Sequence, residues 1–143
     1  MWARPSGRAG LRIRGQRGDT AVRSAVVRFA KWLRTRYDFP VRVPVYLSPR
    51  KRLVTMYGES VTASLFAPWK PDVEPYIRIA TGDYPADRAQ LGRDNALAGY
   101  LASLAHELIH YHQWVGTGSI SERGVAVKAR GIVEAYARTV SRP

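Results

Sequence analysis

Cysteine is absent from the 143-residue chain, and this absence excludes a disulfide scaffold, a zinc site built on thiolates and a cysteine nucleophile. Long apolar runs are missing too, since none approaches the roughly 20 residues that a membrane-spanning helix requires. The basic N-terminal stretch is not followed by the apolar block of a secretory signal peptide. We therefore expect a protein without a membrane span that works in the cytoplasm.

Acidic residues are few relative to basic ones. The chain carries 23 lysine and arginine residues against 11 aspartate and glutamate residues, for a formal net charge of +12. Such an excess favours contact with nucleic acid, an anionic surface or an acidic partner. A basic surface without any such partner explains the composition equally well, and no nucleic-acid-binding motif accompanies the charge. The length and the apolar content of 45% predict a single globular domain.

Residues 1–18 combine five arginines with four glycines and contain no acidic residue. Because few of their side chains are suited to a core, we expect a flexible basic arm, followed by one domain over residues 19–143. Three roles are open for this arm. It is an electrostatic tether to nucleic acid, a latency segment that lies across an active-site cleft, or a dispensable tail.

The next part of the chain predicts one helix and a small sheet. Asp19 and Thr20 begin a helix of about 17 residues whose apolar positions have helical spacing, and Pro40 ends it. Several alternating segments follow, of which the first has the edge-strand proline Pro44. These segments are Val41 to Leu47, the two flanks of a turn at Gly58-Glu59, and Tyr76 to Thr81. With two helices after residue 94, the prediction is an α+β fold: a backing helix, a small mixed or antiparallel sheet of roughly three to four strands, an active-site helix and a glutamate helix.

The first of the two C-terminal helices contains the motif that carries the chemistry. We predict it from about Asn95 to Val115, with Asp94 as its N-cap, leucines on one side and small or imidazole side chains on the other. Residues 106–110 read His-Glu-Leu-Ile-His, an HExxH motif. Histidines at i and i+4 share a helix face, so both imidazoles can bind one zinc ion. Glu107 is then placed to take a proton from the attacking water and to pass it to the leaving amine.

A catalytic zinc site usually has a third protein ligand besides two such as His106 and His110. The carboxylates that follow the motif are Glu122 and Glu134. On a helix beginning near Ser119, Glu122 falls on the apolar face, and a helical hairpin returns it beside His110. Glu134 points toward solvent and lies about 18 Å farther along. Two alternatives stay open, since Glu122 also fits a capping box with Ser119, and Glu134 or an outside group then completes the site.

The sequence HELIHYHQW at residues 106–114, followed by a helix that bears a glutamate, resembles the gluzincin class of zinc metallopeptidases. With EPYIRIATGDY at residues 74–84 and the small size, it is most similar to the minimal members called minigluzincins. The likeness extends over residues 41–136. It implies a backing helix, a small sheet whose edge strand holds an extended peptide, an active-site helix and a glutamate helix. It also implies an enzyme that is commonly latent.

The resemblance assigns roles to individual residues. It implies that His106 and His110 are zinc ligands and that Glu107 is the general base and acid. Glu122 corresponds to the ligand on the glutamate helix. The chain departs from the usual motif at Gly124-Val125, where an acidic residue and an alanine are common.

The predicted function is that of a zinc-dependent metalloendopeptidase acting on peptide or protein substrates, with one zinc ion per chain. The reaction needs a further donor for the oxyanion, for which the candidates are Tyr111, His112, Tyr136 and Arg130. His112 projects away from His110 and is expected to be hydrogen-bonded or exposed rather than a ligand. The alternative is a basic DNA-associated protein, either an SprT-like protease or a zinc-stabilised nucleic-acid-binding module without turnover.

Overall fold

The computed structural model describes residues 10–14, 17–70 and 73–143. Over these residues the chain forms four α-helices and six β-strands, which confirms the predicted α+β class. The strands are β1 (Leu11–Arg14), β2 (Val43–Ser48), β3 (Leu53–Val54), β4 (Ser60–Val61), β5 (Ala63–Phe66) and β6 (Tyr76–Ala80). The helices are α1 (Thr20–Arg36), α2 (Tyr84–Leu91), α3 (Arg93–Thr117) and α4 (Val125–Ala137).

The main sheet is mixed and has the strand order β1-β2-β6-β5. Strands β1, β2 and β6 are parallel, whereas β5 runs antiparallel to β6 and forms one edge. Strands β3 and β4 form a separate antiparallel hairpin around the predicted turn at Gly58-Glu59. This hairpin contacts β6 through Arg78, whose Nη2 donates to the Val54 carbonyl at 3.2 Å.

The core lies between one face of the sheet and the helices. Side chains of successive strand residues alternate between faces, so the buried residues of β1, β2 and β6 occupy one face. Helix α3 is the central element, because it contacts α1, α2, α4 and strands β5 and β6. The buried residues that join the sheet to these helices include Leu11, Val43, Val45, Ile77, Ile79, Phe29, Leu101, Leu104 and Leu108.

Helix α1 forms where the sequence predicts it. The Asp19 side chain caps it, since Oδ1 accepts hydrogen bonds from the backbone N–H groups of Ala21 at 2.9 Å and Val22 at 3.3 Å. The helix ends before Tyr37, which has an extended backbone. Because Val22, Phe29 and the other apolar positions recur at helical spacing, they meet the core together.

The predicted flexible arm over residues 1–18 is wrong for part of its length. Residues 11–14 form strand β1, which pairs with β2, and Leu11 is fully buried in the core. Further hydrogen bonds hold the start of the strand. Gly10 N–H donates to Phe39 O, and the Arg34 guanidinium donates two hydrogen bonds to Leu11 O. The folded domain therefore begins before residue 19. Residues 1–9 and 15–16 lie outside the described part of the chain, so the latency and tether roles stay predictions.

Pro44 lies in an interior strand and not in the predicted edge strand. Val43 N–H donates to Gly10 O on the β1 side, so the nitrogen of Pro44, the next residue, faces β6. Pairing between β2 and β6 begins only at Val45. The missing N–H group of Pro44 therefore costs no ladder hydrogen bond.

The C-terminal half differs from the prediction at helix boundaries. Helix α2 was not predicted, although Pro85 near its start is a typical helix-start signal. Helix α3 has Gly92 and not Asp94 as its N-cap, and Asp94 instead forms an ion pair with Arg93 in the first turn. None of the helices in the described ranges is long and apolar enough to cross a membrane.

Candidate metal centre

Helix α3 presents both histidines of the HExxH motif on the side opposite its leucines. Leu101, Leu104 and Leu108 enter the core and are almost fully buried. His106 and His110 are about one helical turn apart, and their ring centroids are 5.0 Å apart. His110 is only 4% exposed, whereas His106 is partly exposed. Burial of the leucines therefore sets the direction in which both imidazoles project.

The segment between α3 and α4 brings a carboxylate to these histidines. Two glycines in the left-handed region bound it, Gly118 with φ of 74° and Gly124 with φ of 73°, where a side chain is strained. Between them, Glu122 places Oε1 2.8 Å from His110 Nε2 and Oε2 3.2 Å from His106 Nε2. One ligand atom from each of these three residues lies within 4.8 Å of the others, which is the arrangement of a three-ligand metal site.

Gln113 connects His110 to the segment that carries Glu122. Its Oε1 accepts a hydrogen bond from Ser121 N–H at 3.1 Å, and its Nε2 donates to Ser121 O at 3.0 Å. These two backbone groups determine which end of the amide is the oxygen. The second partner of Oε1, His110 Nδ1 at 3.0 Å, must therefore be a protonated donor. His110 consequently directs the lone pair of Nε2 toward the site. The sequence analysis missed the role of Gln113, although a metal-binding histidine usually donates its other ring N–H to a nearby acceptor.

The donor set fits zinc. His110 Nε2 is buried and has no hydrogen-bond partner among the described residues, although Glu122 Oε1 is 2.8 Å away. With the proton on Nδ1, the Nε2 lone pair of His110 points at the lone pairs of the Glu122 carboxylate. A cation bound between the two groups relieves this repulsion. Two imidazoles and a carboxylate are a ligand set of catalytic zinc, and a tetrahedral ion about 2.1 Å from each ligand holds them about 3.4 Å apart. The observed distances of 2.8 and 3.2 Å are close to that spacing.

Glu107 lies beside these three residues and is mostly buried. Burial raises the pKa of its carboxyl group, while the neighbouring imidazoles of His106 and His110 and a hydrogen bond from Leu65 N–H oppose the rise. The nearby carboxylate of Glu122 adds to the increase. Leu65 belongs to the edge strand β5, so the sheet and helix α3 together position this carboxylate. A buried carboxylate next to a metal site is suited to general base catalysis.

An open cavity of about 580 Å³ adjoins the site. It is lined by residues of the β3–β4 hairpin, β5, α3 and α4, and His106 and Glu107 form part of its wall. Ligand-binding pockets typically have volumes of about 300–1,000 Å³. The candidate metal centre therefore opens onto a space that is large enough for part of a substrate.

The structure brings Glu122, and not Glu134, to the two histidines. Helix α4 begins at Val125 with Gly124 as its N-cap and without a side-chain cap, so the alternative capping box at residues 119–122 is wrong. The predicted helix start near Ser119 is wrong for the same reason, since the left-handed backbone of Gly124 interrupts helical geometry. Glu134 is exposed on α4 and lies outside the three-residue group found in the described chain. Glu122 thus reaches the site from a loop.

Three of the four candidate oxyanion donors are held elsewhere. His112 is hydrogen-bonded, as predicted, and Arg130 is the candidate that lines the cavity. The Tyr111 hydroxyl is hydrogen-bonded to the backbone of Val41, and His112 Nε2 is 2.8 Å from Asp38 O. The Tyr136 ring packs against Phe29 and Trp32. Arg130 therefore stays as the candidate that can face a substrate.

The two histidines of the HExxH motif thus gain a carboxylate partner from a distant loop. His106, His110 and Glu122 converge beside Glu107, and His106 and Glu107 line the open cavity. Comparisons with known protein families, with curated proteins and with solved structures found no match to this chain.

Proposed function

We propose that the protein is a zinc-dependent metallopeptidase that hydrolyses peptide bonds. The observation that carries this proposal is the convergence of His106, His110 and Glu122 beside Glu107 at an open cavity. A structural zinc site is normally closed by four protein ligands. Three ligands next to a buried acid and an open space instead favour a catalytic site.

In this proposal, His106, His110 and Glu122 hold one zinc ion per chain. When bound, zinc would act as a Lewis acid that lowers the pKa of water and polarises the carbonyl group of the substrate. Gln113 keeps His110 in the tautomer whose Nε2 is free to bind. Its two hydrogen bonds to Ser121 also hold the segment that carries Glu122.

Glu107 acts first as general base and then as general acid. Its carboxylate accepts a proton from the attacking water and passes that proton to the amide nitrogen of the leaving group. Burial makes it a stronger base than an exposed glutamate, because its pKa is raised. The Leu65 N–H group of strand β5 donates a hydrogen bond that orients this carboxylate.

Strand β5 provides an edge on which an extended peptide can bind. Ala80 N–H donates to Thr62 O at 2.8 Å, and backbone groups of alternate residues point to opposite sides of an antiparallel strand. Ala63 and Leu65 therefore direct their N–H and C=O groups away from β6. Because the Leu65 N–H reaches Glu107, the side of β5 that faces away from β6 lies toward the two histidines and Glu122. A peptide that adds to the edge as a strand lies alongside the ligands.

The test combines zinc analysis with cleavage of a mixed peptide library, read by mass spectrometry, in the presence and absence of double-stranded DNA. We expect close to one zinc per chain in wild type, Glu107→Gln and the matched control Glu134→Gln. Cleavage falls at least about 100-fold in Glu107→Gln alone, since a general base contributes this much. Zinc-loaded wild type that cleaves nothing contradicts the proposal. If that protein still binds DNA, the nucleic-acid-binding alternative is favoured.

A further inference from the structure

Two arginines line the cavity beside the metal centre. Arg52 enters from the chain that precedes β3, and Arg130 enters from α4. Among the described residues, no carboxylate forms an ion pair with either of them. Within the described chain, the carboxylate that lines the cavity is Glu107, which the proposed reaction uses. The cavity wall therefore carries an excess of positive charge.

The Arg52 side chain is held in place by the hairpin. Its Nε donates to Ser60 Oγ at 3.1 Å, and its Nη2 donates to Ser60 O at 3.2 Å. These bonds leave its other N–H groups without a partner among the described residues. A guanidinium that is already oriented loses less conformational entropy when it binds a ligand. Arg52 is thus prepared to receive an acceptor from the cavity.

The remaining walls of the cavity leave room for a side chain. Apart from the arginines, His106 and Glu107, the lining is formed largely by small residues, including Ala63, Ala102, Ala126 and Ala129. His106 and Glu107 border the same space, so a group bound there lies next to the reacting bond. The cavity combines volume, positive charge and proximity to the catalytic acid.

We propose that Arg52 and Arg130 make this cavity a subsite for a substrate carboxylate. The carboxylate is either the side chain of an aspartate or glutamate next to the cleaved bond or the C-terminus of a short peptide. This inference rests on the proposed peptidase function and specifies its substrate class. Arginine binds carboxylates through charge-assisted, often bidentate hydrogen bonds, whereas a lysine in the substrate meets two like charges.

The test measures binding with the full-length, zinc-loaded Glu107→Gln protein, which is expected to bind peptides without cleaving them. Fluorescence anisotropy compares C-terminally amidated peptides that differ only by glutamate, glutamine or lysine at one scanned position. A second set carries glutamine and either a free or an amidated C-terminus. We expect a carboxylate to strengthen binding about tenfold in at least one set. The first set detects a side-chain carboxylate, and the second detects a chain terminus.

Charge reversal identifies the residues responsible. In the same background, Arg52→Glu and Arg130→Glu each abolish the preference for the carboxylate peptide. The control is Lys128→Glu on the same helix, an exposed residue that does not line the cavity and leaves the preference unchanged. Equal binding of all peptides, or a preference that survives both reversals, overturns the inference.

Two further outcomes separate this inference from other readings. If Arg130 serves only the oxyanion, its reversal in the active enzyme lowers kcat equally for glutamate and glutamine peptides, and the carboxylate subsite is refuted. If the protein binds carboxylate peptides selectively but wild type cleaves no peptide, the subsite is supported and the peptidase proposal fails.

Discussion

Replacement of Gln113 by methionine tests the proposed metal centre at a residue outside the three proposed ligands. Methionine preserves side-chain length and helix propensity but removes both polar ends of the amide. His110 Nδ1 and Ser121 N–H then lose their acceptor, and Ser121 O loses its donor. The proton of His110 becomes free to move to Nε2, the ligand atom. The segment that carries Glu122 loses a contact that holds it in place.

The structure sets the magnitude of this effect. Loss of an outer-shell partner of a metal-binding histidine typically weakens metal affinity about 10- to 100-fold, or about 1.4–2.7 kcal/mol. Gln113 supports two ligands, because it contacts both His110 and the residue that precedes Glu122. His110 is 4% exposed, so water replaces the lost acceptor poorly. We therefore expect a loss in the upper half of this range, about 30- to 100-fold.

The assay is competition for zinc with a chromophoric chelator, accompanied by circular dichroism to check folding. The matched control is Gln90→Met, an exposed position on α2, which should leave affinity unchanged. Gln113→Glu keeps an acceptor for both His110 Nδ1 and Ser121 N–H, so it should retain most of the affinity. A folded Gln113→Met protein whose zinc affinity is within about twofold of wild type would refute the reasoning.

Two other predictions address the third ligand and the N-terminal strand. Glu122→Ala should strongly reduce zinc content, whereas Glu134→Ala should retain zinc and change the free energy of unfolding by no more than about 0.5 kcal/mol. Metal analysis and urea denaturation check both variants, and reversed outcomes contradict the geometry. Leu11→Ala should lower the free energy of unfolding by about 2–5 kcal/mol because Leu11 is fully buried. The control in the same denaturation assay is Arg12→Ala, at the exposed neighbouring position. Equal stability of the two variants would contradict the burial of Leu11 and favour a flexible arm at residues 11–14.

The elements that the sequence predicted correctly depend on short-range patterns. Helix α1 follows from the Asp19 cap and a helical apolar period, both of which involve neighbours in the chain. The turn at Gly58 and the alternation in residues 76–80 are likewise local. Such patterns are visible in a sequence because the interacting groups are close along it.

The errors concern contacts between distant segments. Strand β1 lies in a stretch of arginine and glycine, and Leu11 is buried only because β1 pairs with Val43 of β2. Pro44 indicated an edge strand because proline is usually confined to edges, but the unpredicted strand β1 covers that edge of β2. Helix α2 differs from these, since Pro85 at its start was a local signal that was overlooked.

In the candidate site, too, the local part was predictable from the sequence and the long-range contact was not. The sequence by itself determined that His106, Glu107 and His110 lie together on one turn of α3, because a helix advances by 3.6 residues per turn whatever surrounds it. It favoured Glu122 as the third partner and kept Glu134 as the alternative.

Only the tertiary structure decided that choice. The segment from Gly118 to Gly124 turns through two left-handed residues, and Gln113 binds Ser121 within it. These interactions join residues of a helix to residues of an irregular loop, and irregular backbone has no periodic pattern by which a sequence could predict it. Glu122 therefore meets the histidines through loop geometry and hydrogen bonding, and not through the helix on which the sequence had placed it.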